Sequence, residues 1–155
     1  MIATNHMLTG AVIAAAVHQP WLVVPMALVS HFVLDSLPHF GVAEGDIKAR
    51  NRHPLFRAVL VVDLVVLFTA LLLIPLLFSG RVSGWVLLVG MLAAWLPDVV
   101  WVSHFWHDHK GHAKKKPALL TKFHQKIQWF ERPQGLIVEV LWLAGTLAAL
   151  AIIAS

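Results

Sequence analysis

At 155 residues the chain has room for one domain, and 59% hydrophobic residues against 13% charged ones lie outside the range of soluble globular proteins. It contains no cysteine, which excludes disulfides, thiolate metal sites and thiol nucleophiles, so any metal site must draw on the ten histidines and on Asp and Glu. The formal net charge of +4 could suit nucleic acid, but in so apolar a chain the placement of basic residues says more than their sum, and no nucleic-acid partner is expected.

In chain order, apolar segments and breakers predict five helices and one shorter piece. The first, Asn5 to Val17, has no Lys or Arg ahead of it and is interrupted early by His6, so a retained helix is expected rather than a cleaved leader. His18-Gln19-Pro20 reads as a turn, with Pro20 suited to the first position of a second helix that runs from Trp21 to Leu37 and is loosened by Pro25. Gly41 to His53 is polar, lacks periodicity and reads as a surface loop. The third helix, Pro54 to Ser79, contains the run Ala58 to Phe78, whose one ionisable residue is Asp63. After a turn at Ser79-Gly80-Arg81 come a fourth helix, Ser83 to His107, and the basic loop Lys110 to Lys116. In Ala118 to Phe130 the apolar Leu119, Leu120, Phe123, Ile127 and Phe130 recur at helical steps against Lys122 and Lys126, which predicts an amphipathic helix lying along an interface or covering an opening. Pro133 to Ser155 is the last helix.

Runs of this kind fit a hydrocarbon core about 30 Å thick, which takes roughly 20 residues to cross. The expected architecture is therefore all-α: an integral membrane bundle of about five helices plus one short interfacial helix, in a single domain. Residues 1–53 form a first half, 54–79 a central helix, 80–116 a second half, and 117–155 the amphipathic piece with the last crossing. If crossings alternate, eleven of the twelve basic residues, all but Arg81, fall on the side that holds the chain start, and nine of the ten histidines gather there too. The positive-inside rule makes that side cytoplasmic.

Two stretches bear on chemistry. Val29 to His39 reads V-S-H-F-V-L-D-S-L-P-H and Val102 to His112 reads V-S-H-F-W-H-D-H-K-G-H, identical at six of eleven positions. Helical i, i+4 spacing lets His31 and Asp35, and likewise His104 and Asp108, point into one pocket as nitrogen and oxygen ligands. His39 follows Pro38 and His112 follows Gly111, so both leave the helical line. Two copies suggest a duplicated hairpin contributing twice to one centre, although each motif alone also reads as a helix end among polar headgroups. His6 reads as a polar cap or as a further ligand. Asp98, after Pro97, would sit below the surface, where burial calls for a partner or a metal. Asp63, the deepest acid, reads as a packing residue, a proton acceptor or an ion relay. His124, Gln128 and Glu131 share a face that reads as a solvated stripe or as a cover over the site. With Lys122 and Lys126, His124 is the candidate for receiving an anionic headgroup.

These residues resemble a small bacterial family of membrane-bound metal-dependent hydrolases, similar in motif style to zinc-dependent phospholipase C. The shared features are His6 with a small residue, Gly10, four later; Ser30, His31 and Asp35 followed by Pro38 and Gly41; and Leu96-Pro97-Asp98. The family's Leu-Pro-Asp is usually followed by Asp-His, and here Val-Val-Trp follows. The resemblance and the ligand types together imply a hydrolase acting on a phosphoester or lipid-like substrate. One or two divalent metals, zinc first, would be held among His6, His31, Asp35, His39, Asp98, His104, Asp108 and His112, with Asp98 or Asp63 accepting a proton from water. Membrane lipids and a second copy of the chain are the expected partners. The alternatives are a metal-ion or proton transporter or sensor using the same ligands, and a non-catalytic membrane scaffold.

Overall fold

A computed structural model describes residues 1–42, 53–78, 80–109 and 119–154, without the side chains at positions 100–109, 120, 121, 125 and 154. Among the described residues the chain is mostly helical. α1 is Ala3–Val17, α2 Pro20–Asp35, α3 Pro54–Leu77, α4 Gly84–His109, α5 Leu119–Ile127 and α6 Leu136–Ala154. Most limits fall within two or three residues of those expected. The last helix begins later than expected, because Pro133–Gly135 forms a 3-10 turn ahead of it.

The breakers act as their chemistry dictates. α1 stops at His18, which takes a left-handed conformation (φ 64°) and donates its backbone N–H to the Ala14 carbonyl. Pro20 and Pro54 open their helices, where a missing N–H costs nothing. α2 ends just ahead of Pro38, and the chain beyond it forms the two-residue strand β1, His39–Phe40. This strand pairs in parallel with β2, Glu131–Arg132, a small sheet that the residue pattern did not predict. Gly135 lies under it so closely that a Cβ there would stand 2.0 Å from the His39 carbonyl.

α1 occupies the middle of the bundle, against α2, α3, α4 and α6, and is packed most closely on α4. Its Met7, Leu8, Ala11 and Ala14 form a core with Val23, Leu67, Leu87 and Met91. At the α1–α4 crossing a Cβ on Gly10 would lie 2.2 Å from the Gly90 oxygen, and one on Gly90 would lie 2.5 Å from the Gly10 oxygen. Small residues let the two backbones touch, the device typical of closely packed apolar helices.

α1 has no acidic residue in its own first turn, so its N-terminal N–H groups need acceptors from elsewhere. Neighbouring helices supply them. Glu139 of α6 accepts from the Ile2 N–H (3.1 Å), and Asp63 of α3 accepts from Ala3 (3.0 Å) and Thr4 (2.9 Å). Carboxylates at this end also favour the helix dipole. With the bond from the Met1 amino group to Asp35, these contacts bring the start of α1, the end of α2, and the N-terminal parts of α3 and α6 to one end of the bundle.

α3 and the stretch Pro133–Ile153 are long and apolar enough to cross a membrane, while α1, α2 and Gly84–Val99 are apolar but shorter. α3 is no core helix, because Val61, Val62, Val65, Leu72, Leu76 and Leu77 are all exposed.

Candidate metal centre

The site is built around His31, in the last full turn of α2. Its ring is completely buried, and Nδ1 lies 2.8 Å from the Ala94 carbonyl of α4. A carbonyl can only accept, so Nδ1 carries the proton, and a neutral His31 presents a bare lone pair at Nε2. Ala94 stands next to Ala93, whose carbonyl loses its helical donor to Pro97. In that loosened turn α4 offers an oxygen sideways.

Atoms from two other helices, and from α2 itself, face the His31 lone pair. Asp35 Oδ2 is 3.3 Å away, His124 Nε2 of α5 3.4 Å and Asp98 Oδ1 of α4 3.8 Å. The His6 ring of α1 stacks on the His31 ring with centroids 3.9 Å apart. Two donor groups result, His31-Asp35-His124 and His6-His31-Asp98, each with ligand atoms within 4.8 Å of one another. They share His31 and so make one centre.

Asp35 is the hub of its hydrogen bonds and is itself buried. Oδ1 accepts from His6 Nε2 at 3.0 Å and from the Met1 amino group at 2.6 Å. Oδ2 accepts from His124 Nε2 at 2.5 Å and from Gln128 Nε2 at 3.3 Å. His6 Nδ1 is buried and has no hydrogen-bond partner among the described residues.

The donor set fits a divalent metal in chemistry and partly in spacing. Two ligand atoms bonded at about 2.1 Å to one tetrahedral zinc stand roughly 3.4 Å apart. The His31–His124 and His31–Asp35 edges match that spacing, whereas the His124–Asp35 edge is a direct hydrogen bond. His31 is also held as metal-binding imidazoles usually are, with its other nitrogen donating to a backbone carbonyl.

Of the residues expected at the site, His6, His31, Asp35 and Asp98 are brought together. His124 belongs there too, as a member of the cluster rather than as a headgroup receiver. His124 and Gln128 face inward, so that face of α5 covers the site and is no solvated stripe. Lys122 and Lys126 are exposed on the other side of α5 and do not reach the cluster. Helical geometry dictates this, because residues two apart face away from each other.

His39 is likewise corrected. It belongs to neither donor group, because Leu37-Pro38 ends the helix and β1 carries the ring to other partners. Its Nδ1 donates to the Leu37 carbonyl (2.7 Å) and its Nε2 faces Glu131 at 3.6 Å. Asp63, read as a packing residue, a proton acceptor or a relay, has both carboxylate oxygens engaged by the backbone of α1, while Thr4 Oγ1 donates to its carbonyl. His112 and the side chains of His104 and Asp108 lie outside the described residues. The backbone of α4 places these two positions six and ten residues past Asp98, about 9 and 15 Å further along the axis.

Sequence reasoning missed Glu139 altogether. It is buried near the start of α6 and also accepts from Asn5 Nδ2 (2.7 Å) and the Phe40 N–H (3.2 Å). Its one legible signal was being the single acid between Pro133 and the chain end.

No family model, no curated protein and no solved structure matches this chain.

Proposed function

We propose that the protein is an integral membrane hydrolase of the bacterial inner membrane, dependent on a divalent metal, whose His/Asp centre faces the cytoplasm and acts on a phosphoester or lipid-like substrate. The observation that carries the reading is His31, with Nδ1 tied to Ala94 and Nε2 turned towards Asp35, His124 and Asp98. The outward apolar surface of α3 and the gathering of basic residues on one side of the alternating crossings support the membrane placement. The family resemblance of His6, Gly10, His31, Asp35 and Leu96-Pro97-Asp98 supports the reaction class.

His31, Asp35 and His124, with His6 and Asp98 beside them, would hold the ion, and zinc is the first choice for nitrogen and oxygen donors of this kind. A divalent metal bound there would supply activated water and polarise a phosphoryl or carbonyl oxygen. Asp98 is the least buried carboxylate of the group, with a quarter of its side chain exposed, and is suited to taking a proton from incoming water. The Ala94 carbonyl keeps His31 in the tautomer that leaves Nε2 free, and Asp35 orients the His6 imidazole.

Purified protein should bind zinc, and Asp35→Ala and His124→Ala should weaken that binding by at least about tenfold. A chromogenic phosphodiester should be hydrolysed by the metal-loaded protein, and Asp98→Asn should slow turnover while retaining metal. Absence of zinc binding in the folded wild type would sink the metal centre. Zinc binding without turnover on any phosphoester or ester would sink the hydrolase.

A further inference from the structure

α5 is turned inside out relative to a helix on a soluble protein. Its polar His124 and Gln128 point inward to Asp35, while its outer side carries apolar residues. Leu119 is 85% exposed and Phe123 51%, and Trp129 just beyond the helix is 69% exposed. Lys122 and Lys126, also exposed, line one edge of the Leu119 and Phe123 stripe on the same outer side. An apolar stripe edged by two lysines and followed by an exposed Trp matches the chemistry of an anionic bilayer surface, with acyl chains taking the stripe and phosphates the ammonium groups. Among the described residues, Arg57 and Arg132 lie exposed at the same end of the bundle as Lys122 and Lys126, so charge complementarity and location agree.

We infer that α5 docks on anionic lipid through Leu119, Phe123, Lys122 and Lys126, and that docking holds His124 in the metal centre. The inference deepens the proposed function by naming the regulator of that site, and it rests on the membrane and metal readings given there. The two faces make the coupling mechanical. A helix anchored with Leu119 and Phe123 in lipid presents His124 and Gln128 to Asp35, whereas a released helix takes one nitrogen ligand away. Two lysines near an anionic surface shift the docked population by about thirtyfold.

The test uses the full chain, whose lack of cysteine makes Leu119→Cys a unique labelling site. A nitroxide there is read for depth in nanodiscs of phosphatidylcholine alone or containing phosphatidylglycerol, and zinc affinity is measured on the same preparations. The label is expected in the acyl region only with phosphatidylglycerol, zinc should bind at least tenfold more tightly in those discs, and Lys122→Glu/Lys126→Glu should abolish both effects. A label depth that ignores lipid charge, or survives the double reversal, overturns the docking. A label that moves while zinc affinity stays constant overturns the coupling. Absence of zinc binding in either lipid refutes the metal centre instead, and the label depth then decides the docking by itself.

Discussion

The imidazole of His31 has two nitrogens with different partners, and the difference can be tested by substitution. Asn places an amide nitrogen close to where Nδ1 stands and can go on donating to the Ala94 carbonyl, yet it has nothing to offer in place of Nε2. His31→Asn should therefore lose zinc while keeping most of the helix–helix bond. His31→Ala should lose zinc and also leave a buried carbonyl without its donor, at an additional cost of about 1–3 kcal/mol. Thermal unfolding and metal stoichiometry of the two variants check this, and equal stability would show that the Ala94 bond contributes nothing. At this scale His31, Asp35, His6 and Asp98 were legible because spacing and burial of polar groups in an apolar chain constrain them. The role of His124 was not, since its place at Asp35 depends on a contact across 89 positions. Asp63 was legible as a buried acid, but the residue pattern could not reveal that the start of another helix would take both its oxygens.

Among the elements, the α1–α4 crossing governs the rest, because α1 carries His6 and α4 carries Ala94 and Asp98. The atoms nearest a Cβ on Gly10 are backbone, which cannot turn aside as a flexible side chain would. Gly10→Val should force the helices apart and cost at least about 3 kcal/mol, with loss of zinc affinity as His6 and Asp98 move relative to His31. Gly145→Ala in α6 is the matched control, since nothing lies within 4 Å of its Cβ and the helix interior gains up to about 1 kcal/mol. Unfolding of both variants in one detergent separates the cases, and a harmless Gly10→Val would refute the close crossing. Helix positions were readable from prolines and apolar runs, including the turn at His18 to Pro20. The β1–β2 pair was not, because two residues form no period and their partners lie 92 positions apart.

For the whole molecule, the decisive quantity is which end faces which compartment. Alternation from the sequence requires the start of α1, the end of α2 and the start of α6 to share an end. The bonds from Met1 to Asp35 and from Ile2 to Glu139 tie those parts together. The proposed inner-membrane orientation then makes a prediction that needs no knowledge of substrate or metal. Gln19 and Arg81 lie at the opposite end from Arg57 and Arg132, and all four are exposed. With no native cysteine to interfere, each can be replaced singly by Cys and treated in intact cells with a maleimide that cannot cross the membrane. Gln19→Cys and Arg81→Cys should react at once, and Arg57→Cys and Arg132→Cys only after permeabilisation. The reverse pattern would place the His/Asp centre on the outer side, where the basic residues would contradict the positive-inside rule. Equal labelling at all four positions in intact cells would mean that the chain does not span the membrane, and the exposed apolar face of α3 would then need a protein partner.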